Sequence, residues 1–174
     1  GPDYVEMAFT YARKYADPEV KLFYNDYNTF QSPKIDGIYS LVESLKEKGL
    51  VDGIGMQGYW GMDWPGEATI RAAIERYATL GLEIQITELS VGVDSETEAQ
   101  FKKQASTYGW IFKMLCEEDE AGGGPANITN VTLFGLVDHY RKGDTTNSRI
   151  FDENYEPKPA FYAIKEAMEA AGEN

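Results

Sequence analysis

One carboxylate lies at a position where chemistry is expected. Glu88 follows a segment in which Ile84 and Ile86 alternate with polar residues, and Gly81 precedes that segment. The period of two predicts a strand, and the glycine is typical of the residue that ends a preceding helix. Active sites of parallel sheets lie at the carboxyl ends of their strands. Glu88 is therefore a candidate catalytic carboxylate, although a solvated surface glutamate fits the same local sequence.

The elements that position Glu88 alternate regularly along the chain. Apolar residues at helical spacing predict five helices, and strand-like patterns separate them. The predicted helices include 5–12, 38–45, 70–78, 101–115 and 161–168, and the predicted strands are 21–27, 51–57, 83–90 and 130–137. Strands that alternate with helices predict right-handed crossovers and a parallel sheet of the α/β class.

The first helix has no strand of its own, and the chain has 174 residues. A complete (β/α)8 barrel needs about 250 residues. The sequence therefore predicts that residues 1–174 form the C-terminal half of a TIM barrel, with about four βα units and a leading helix. Such a half would expose strand edges and apolar inward faces, so we expect it to pack against the N-terminal half or a second copy of itself.

The composition narrows the classes of ligand. The chain carries 16 basic and 29 acidic residues, a formal charge of −13, with the basic residues dispersed. This argues against binding nucleic acid or an anionic membrane surface and favours a neutral ligand. The single histidine and dispersed carboxylates predict no metal site, and no cofactor motif is present. Cys116 lies in an apolar helical pattern and is expected to be a buried structural thiol.

Five motifs in register resemble glycoside hydrolase family 10, the family of retaining endo-β-1,4-xylanases. They extend over nearly the whole chain, in the order and at the spacing of the family. The motifs are Asp3-Tyr4-Val5 with Ala8-Phe9, Leu22-Phe23-Tyr24-Asn25-Asp26-Tyr27-Asn28, Asp52-Gly53-Ile54-Gly55-Met56-Gln57, Leu80-Gly81-Leu82-Glu83-Ile84 before Thr87-Glu88-Leu89, and Phe151-Asp152 with Pro157-Lys158-Pro159-Ala160-Phe161.

The resemblance implies hydrolysis of internal bonds in xylan or xylo-oligosaccharides by a secreted or cell-surface enzyme. A retaining mechanism uses two carboxylates about 5 Å apart, and Glu88 matches the family's nucleophile. The acid/base glutamate of the family lies upstream of the helix with which this chain begins, so the chain alone is expected to be inactive. The alternatives are a degenerate barrel that binds xylan-like chains without cleaving them, and a glycosidase for another β-linked substrate.

Three substrate-binding positions match the family directly. Asn25 and Tyr27 match its fifth-strand motif, where the tyrosine lines the aglycone side of the cleft; core packing is the alternative for Tyr27. Gln57 matches a glutamine near the glycone end. In the segment that follows, Tyr59, Trp60 and Trp64 are expected in a loop, where they either stack on sugar rings or anchor the loop.

Two departures from the family concern the surroundings of the nucleophile. Tyr59 stands where the family has a histidine hydrogen-bonded to the nucleophile, and Ser90 replaces the aspartate that supports it. A tyrosine hydroxyl can still donate to Glu88 and needs no carboxylate to fix a tautomer. We therefore expect a coordinated replacement of the pair.

A third departure lies at the eighth strand of the family. Phe134 occupies the place of a tryptophan that roofs the sugar, and Arg141 and Lys142 replace a Ser-Trp pair, so this subsite is expected to be built differently. Asp138 and His139 retain polar groups at the strand tip. His139 is a candidate general acid, but a loop imidazole without an orienting partner is more commonly a polar surface group.

Overall fold

The computed structural model describes residues 2–139 and 146–172. The helices are α1 (Pro2–Tyr15), α2 (Lys34–Glu47), α3 (Glu67–Ala78), α4 (Glu98–Glu118) and α5 (Pro159–Ala170). The strands are β1 (Phe23–Asp26), β2 (Gly53–Met56), β3 (Tyr59–Trp60), β4 (Glu83–Val91) and β5 (Asn127–Leu133), and a 3-10 turn covers Glu120–Gly122. In these two ranges, no helix combines the length and the apolar character that a membrane span requires.

The strand pairs are all parallel, which confirms the predicted α/β partial barrel. The strands β1, β2, β4 and β5 are neighbours in that order, and β3 pairs with the end of β4. Two predicted boundaries are wrong. Tyr59 and Trp60 form a short strand rather than a loop, and β5 begins at Asn127 and ends at Leu133. Val137, the predicted end of β5, instead forms an isolated bridge with Phe151.

The core lies between the sheet and its helices. Ile54 and Met56 of β2 and Ile84 and Ile86 of β4 are fully buried on the helix-facing side, where alternation places every second side chain of a strand. The helices meet them with apolar stripes whose buried members include Ile38, Val42, Ile70, Ile74, Tyr77, Tyr108, Ile111 and Met114. Cys116 on α4 is half-buried rather than fully buried.

The other face of the sheet is mainly polar, so the prediction of an apolar inward face was wrong. Glu83 of β4 accepts hydrogen bonds from Lys21 and from the Thr129 hydroxyl, the latter at 3.1 Å. Gln85 donates to the same Thr129 oxygen at 3.2 Å. Neighbouring strands thus satisfy one another's polar groups on this face.

Asp52, just before β2, fastens the end of α1 and the entry of β1. Its Oδ2 accepts from Arg13 Nη2 at 2.5 Å and from the Leu22 backbone N–H at 2.6 Å. Burial raises the pKa of the Asp52 carboxyl, but these two hydrogen bonds and the charges of Arg13 and Lys21 together lower it by more, so the net pKa lies below its usual value.

Candidate active site

A β-bulge in β4 directs Glu88 into the site. Ile86 pairs with Val131 of β5, and the next pairing joins Leu89 to Leu133, so β4 has one residue more than its partner in this stretch. Thr87 and Glu88 are both only half-buried, whereas Ile86 and Leu89 on either side are buried. Without the extra residue, strict alternation would place Glu88 on the side of the helices.

Two neutral donors hold the Glu88 carboxylate. Tyr59 donates from its hydroxyl to Oε2 at 2.5 Å, and Asn25 donates from Nδ2 to Oε1 at 3.4 Å. The Asn25 amide is itself oriented, because Thr87 donates to its Oδ1 at 2.7 Å. The predicted contact between Tyr59 and Glu88 is therefore present. A carboxylate with one donor on each oxygen is fixed in orientation, as a nucleophile requires.

The backbone around β3 sets the position of Tyr59. Tyr59 pairs with Ser90 of β4, and Gly58 before it has φ +79°. A side chain at Gly58 would be strained, and its Cβ would come within 2.9 Å of Ile86 Cγ2. Ser90, at the position where the resemblance implies an aspartate, is buried and brings no charge to the site.

The carboxyl end of β1 places Tyr27 beside the site with its ring open to solvent. Tyr27 is 58% exposed, so core packing, the alternative for this residue, is wrong. The Lys34 ammonium lies 3.5 Å from the Tyr27 ring centroid and 2.7 Å from Asp26 Oδ1. Burial and a hydrogen bond to Asp26 raise the pKa of Tyr24 to about 12. Asp26, which the sequence analysis did not single out, thus organises this end of β1.

Gln57 immediately follows β2 and is half-buried. Its backbone N–H donates to the Asp26 carbonyl at 3.1 Å, so the two strand ends are tied together. Because this contact uses only the backbone, the Gln57 side-chain amide can still bind a ligand.

The aromatic residues after β2 have different environments. Trp60 is only 3% exposed and belongs to the core. Of its two alternatives, stacking on sugar rings is therefore wrong and burial as an anchor fits, with Trp60 paired to Val91 in a strand instead of lying in a loop. Trp64 is largely exposed, with an edge contact to Phe30 at 5.0 Å between ring centroids. Phe134 meets the Tyr59 ring edge-on, at 5.3 Å and 71°. Tyr59 and Phe134 therefore form an aromatic wall beside Glu88.

Asp138 does not serve as an open polar group at the strand tip, and that expectation was wrong. It is buried, pairs with Lys158 Nζ at 2.5 Å and accepts from the Arg149 backbone N–H at 2.8 Å. Burial lowers the pKa of Lys158, and the Asp138 carboxylate opposes this effect. Asp138 thus anchors the chain after β5 to the start of α5.

His139 lies with its Nε2 3.3 Å from Glu96 Oε1. Together with Glu96 and Lys158 it lines a pocket to which Glu88 does not contribute. The geometry therefore gives no support to His139 as a general acid for chemistry at Glu88. Arg141 and Lys142 lie outside the described residues.

Two further observations concern other places where a metal ion or a ligand could bind. Across residues 2–139 and 146–172, no three histidine, cysteine or acidic side chains are grouped so that they could hold a metal ion. A cavity of about 710 Å³ between α4 and α5, lined by Trp110 and Ala163 among others, does not include Glu88. The polar groups around Glu88 therefore remain the candidate active site.

Comparison with known proteins gives concordant results. The model of glycosyl hydrolase family 10 matches residues 1–167. A putative endo-1,4-β-xylanase of Caldicellulosiruptor saccharolyticus is 44% identical over 175 residues, which cover 94% of this chain and 56% of that protein. An endo-1,4-β-xylanase of Geobacillus stearothermophilus is 38% identical, with 94% and 53% covered. The chain spans about half the length of these relatives.

Solved structures agree with the sequence matches. A GH10 xylanase of Thermobacillus composti superimposes with a TM-score of 0.85 at 36% identity, over 96% of this chain and 58% of that chain. Xylanase 10B of Thermotoga petrophila RKU-1, solved in complex with xylobiose, gives a TM-score of 0.84 at 38% identity, over 98% and 52%.

Proposed function

Because the chain belongs to glycosyl hydrolase family 10, we propose that it supplies the nucleophile of a retaining endo-β-1,4-xylanase and corresponds to the C-terminal half of the catalytic barrel. The observation that carries the proposal is the placement of Glu88. The bulge in β4 turns its carboxylate out of the core, and Tyr59 and Asn25 each donate to one of its oxygens.

In the proposed reaction, one Glu88 oxygen attacks the anomeric carbon while the bond to the leaving sugar oxygen breaks. The product is a glycosyl-enzyme ester, which water then hydrolyses. An acid/base carboxylate must protonate the leaving oxygen and later deprotonate the water. The hydrogen-bond donors described at Glu88 are an amide and a hydroxyl. We therefore assign the acid/base to the part of the barrel that the relatives contain and residues 1–174 do not span.

The proposed substrate is xylan or a xylo-oligosaccharide, bound without a cofactor. Support comes from the xylobiose complex of the Thermotoga petrophila relative and from the exposed groups around Glu88. Tyr27 offers a ring on one side of the site, and Phe134 and Tyr59 form the wall on the other. Asn25 and Gln57 supply amides for sugar hydroxyls. Aromatic faces and amides are suited to a neutral carbohydrate.

The second candidate is a barrel that binds xylan-like chains without cleaving them. It is favoured by four residues that stand where the resemblance implies other side chains: Tyr59, Ser90, Phe134 and Lys142. In either case we propose a secreted or cell-surface protein, by its family, whose barrel is completed by the N-terminal half or by a second copy of this chain.

Reducing-sugar release from soluble arabinoxylan by the full-length protein tests the proposal. We expect cleavage by the native protein and its loss, by at least about a thousandfold, on Glu88→Gln. Glu83→Gln is the matched control, because Glu83 lies on the same strand but pairs with Lys21 instead of facing Tyr59. Cleavage that survives Glu88→Gln refutes the nucleophile assignment. Absence of cleavage by the native protein, together with retardation in an arabinoxylan gel, supports the binding barrel.

A further inference from the structure

A buried guanidinium stands behind the aromatic wall. Arg149 is 9% exposed, and its side chain hydrogen-bonds Ser148 Oγ while its backbone N–H donates to Asp138 at 2.8 Å. Gly135, with φ +87°, packs against the guanidinium so closely that any Cβ there would overlap Arg149 Nε. A side chain held from several sides presents its charge at one fixed place.

From Arg149 a continuous series of contacts leads to the nucleophile. The guanidinium carbon lies 5.4 Å from the Phe134 ring centroid, within the range of a cation–π contact. Phe134 then meets the Tyr59 ring at 5.3 Å in an edge-on arrangement, and the Tyr59 hydroxyl donates to Glu88 Oε2. Each contact is directional, so the position of one group constrains the next.

We propose that Arg149 and Phe134 are positioning residues, which hold the Tyr59 hydroxyl on Glu88 and so replace the orienting function of the family's charged pair. The proposal rests on the proposed function, in which Glu88 is the nucleophile. Neither residue needs to touch the reacting atoms for this role.

The exposure of Tyr59 explains why such a support is needed. Tyr59 is 45% exposed, and a half-exposed ring can rotate about its first side-chain torsion into solvent at little enthalpic loss. Ser90, its partner across the strands, has no charge with which to hold a side chain in place. A ring fixed between the β3 backbone and Phe134 loses this freedom before substrate arrives, which is the condition for preorganised catalysis.

Arg149→Met in the full-length protein is the test, because the tether to Asp138 uses the backbone and survives the substitution. The change also removes a positive charge that repels Lys158, so the loop should stay folded. We expect kcat on arabinoxylan to fall about threefold to tenfold with KM nearly unchanged, the size of one cation–π contact. Arg149→Lys keeps a cation over Phe134 and should lose less than about twofold.

A double-mutant cycle separates positioning from general damage. In a Tyr59→Phe background, the hydroxyl is gone, so Arg149→Met should lower kcat by less than about twofold further. An equal loss in both backgrounds shows that Arg149 does not act through Tyr59 and overturns the proposal. A kcat of Arg149→Met equal to that of the native protein overturns it as well.

A crystal structure of Arg149→Met gives a readout that is independent of activity. Tyr59 Oη displaced from hydrogen-bonding distance of Glu88 Oε2 supports the positioning role even if the protein cleaves nothing. An unmoved Tyr59 refutes it, whatever the activity. Glu88→Gln, assayed alongside, tests the proposed function separately. Cleavage that survives this substitution refutes the nucleophile assignment, whereas the position of Tyr59 in the Arg149→Met structure tests only the positioning role.

Discussion

Replacing Tyr59 by phenylalanine removes one hydroxyl group and leaves its ring against Phe134. The lost contact is a hydrogen bond of 2.5 Å to a carboxylate oxygen, and bonds to charged groups contribute about 1.5–3 kcal/mol. Because Tyr59 is half-exposed and water can replace the donor in part, we take about 1–2 kcal/mol. At 1.36 kcal/mol per factor of ten, kcat/KM on arabinoxylan should fall about fivefold to thirtyfold.

The assay is initial-rate reducing-sugar release by the full-length protein between pH 4 and about 9. A phenol in general remains protonated over this range, whereas an imidazole loses its proton within it. We expect Tyr59→Phe to lower the rate by a similar factor across this range. Tyr39→Phe is the control, since it removes a hydroxyl 3.1 Å from Thr79 Oγ1 on the surface. If Tyr59→Phe matches the native protein in both rate and pH profile, the hydroxyl has no part in the reaction.

The remaining predictions concern stability, measured by urea unfolding of the same protein. Gly53→Ala would push a methyl group into the Phe23 ring and should lower the free energy of unfolding by about 1–3 kcal/mol, whereas Gly37→Ala on α2 meets open space and should raise it by about 0.5–1 kcal/mol. Burial raises the pKa of Asp52, but the hydrogen bonds from Arg13 and Leu22 and the charges of Arg13 and Lys21 together lower it by more. Its stabilising effect is therefore complete above the usual carboxyl pKa and is lost as pH falls through the lowered value. Asp52→Asn should lower stability at pH 7 by about 0.5–1 kcal/mol after solvent screening, and the difference from the native protein should vanish in acid.

Each stability prediction has a result that contradicts it. Equal effects of the two glycine substitutions would show that contact with Phe23 does not govern Gly53. A difference between Asp52→Asn and the native protein that persists at pH 2 would show that the Asp52 charge is not its source.

Hydrophobic patterning predicted the central strands because their buried faces dominate the sequence. Ile54 and Met56, like Ile84 and Ile86, are all fully buried, and the period of two is therefore unmistakable. The pattern failed at β5, because the Asn127–Leu133 segment has several exposed polar residues and the alternation favours the more apolar residues downstream. It failed at β3 because two residues are too few to show a period.

The site was predicted to the extent that single positions could be matched. Tyr59 contacts Glu88 as expected for a residue in the place of the family's histidine, and Asn25 contacts the other carboxylate oxygen, which was not predicted. The wrong predictions concern residues whose burial cannot be predicted from residue type. A tryptophan or an aspartate can occur in a cleft or in a core, and only the packing shows that Trp60 and Asp138 are buried. Arg149 carried no local signal, since its contacts depend on the path of the chain after β5.

The bulge in β4 makes the strand change phase. Ahead of it the buried apolar residues have even numbers, Ile84 and Ile86, and beyond it they have odd numbers, Leu89 and Val91. Each half is locked separately by its own apolar side chains, so a slip of one half would bury polar groups without moving the other. Deletion of Thr87 would restore a regular alternation and bring Leu89 and Val91 into phase with Ile84 and Ile86, but it would remove the donor that orients the Asn25 amide beside Glu88. Such a change from even to odd numbering of the apolar residues is visible in the sequence, and it lies beside a polar residue that the strand keeps out of the core.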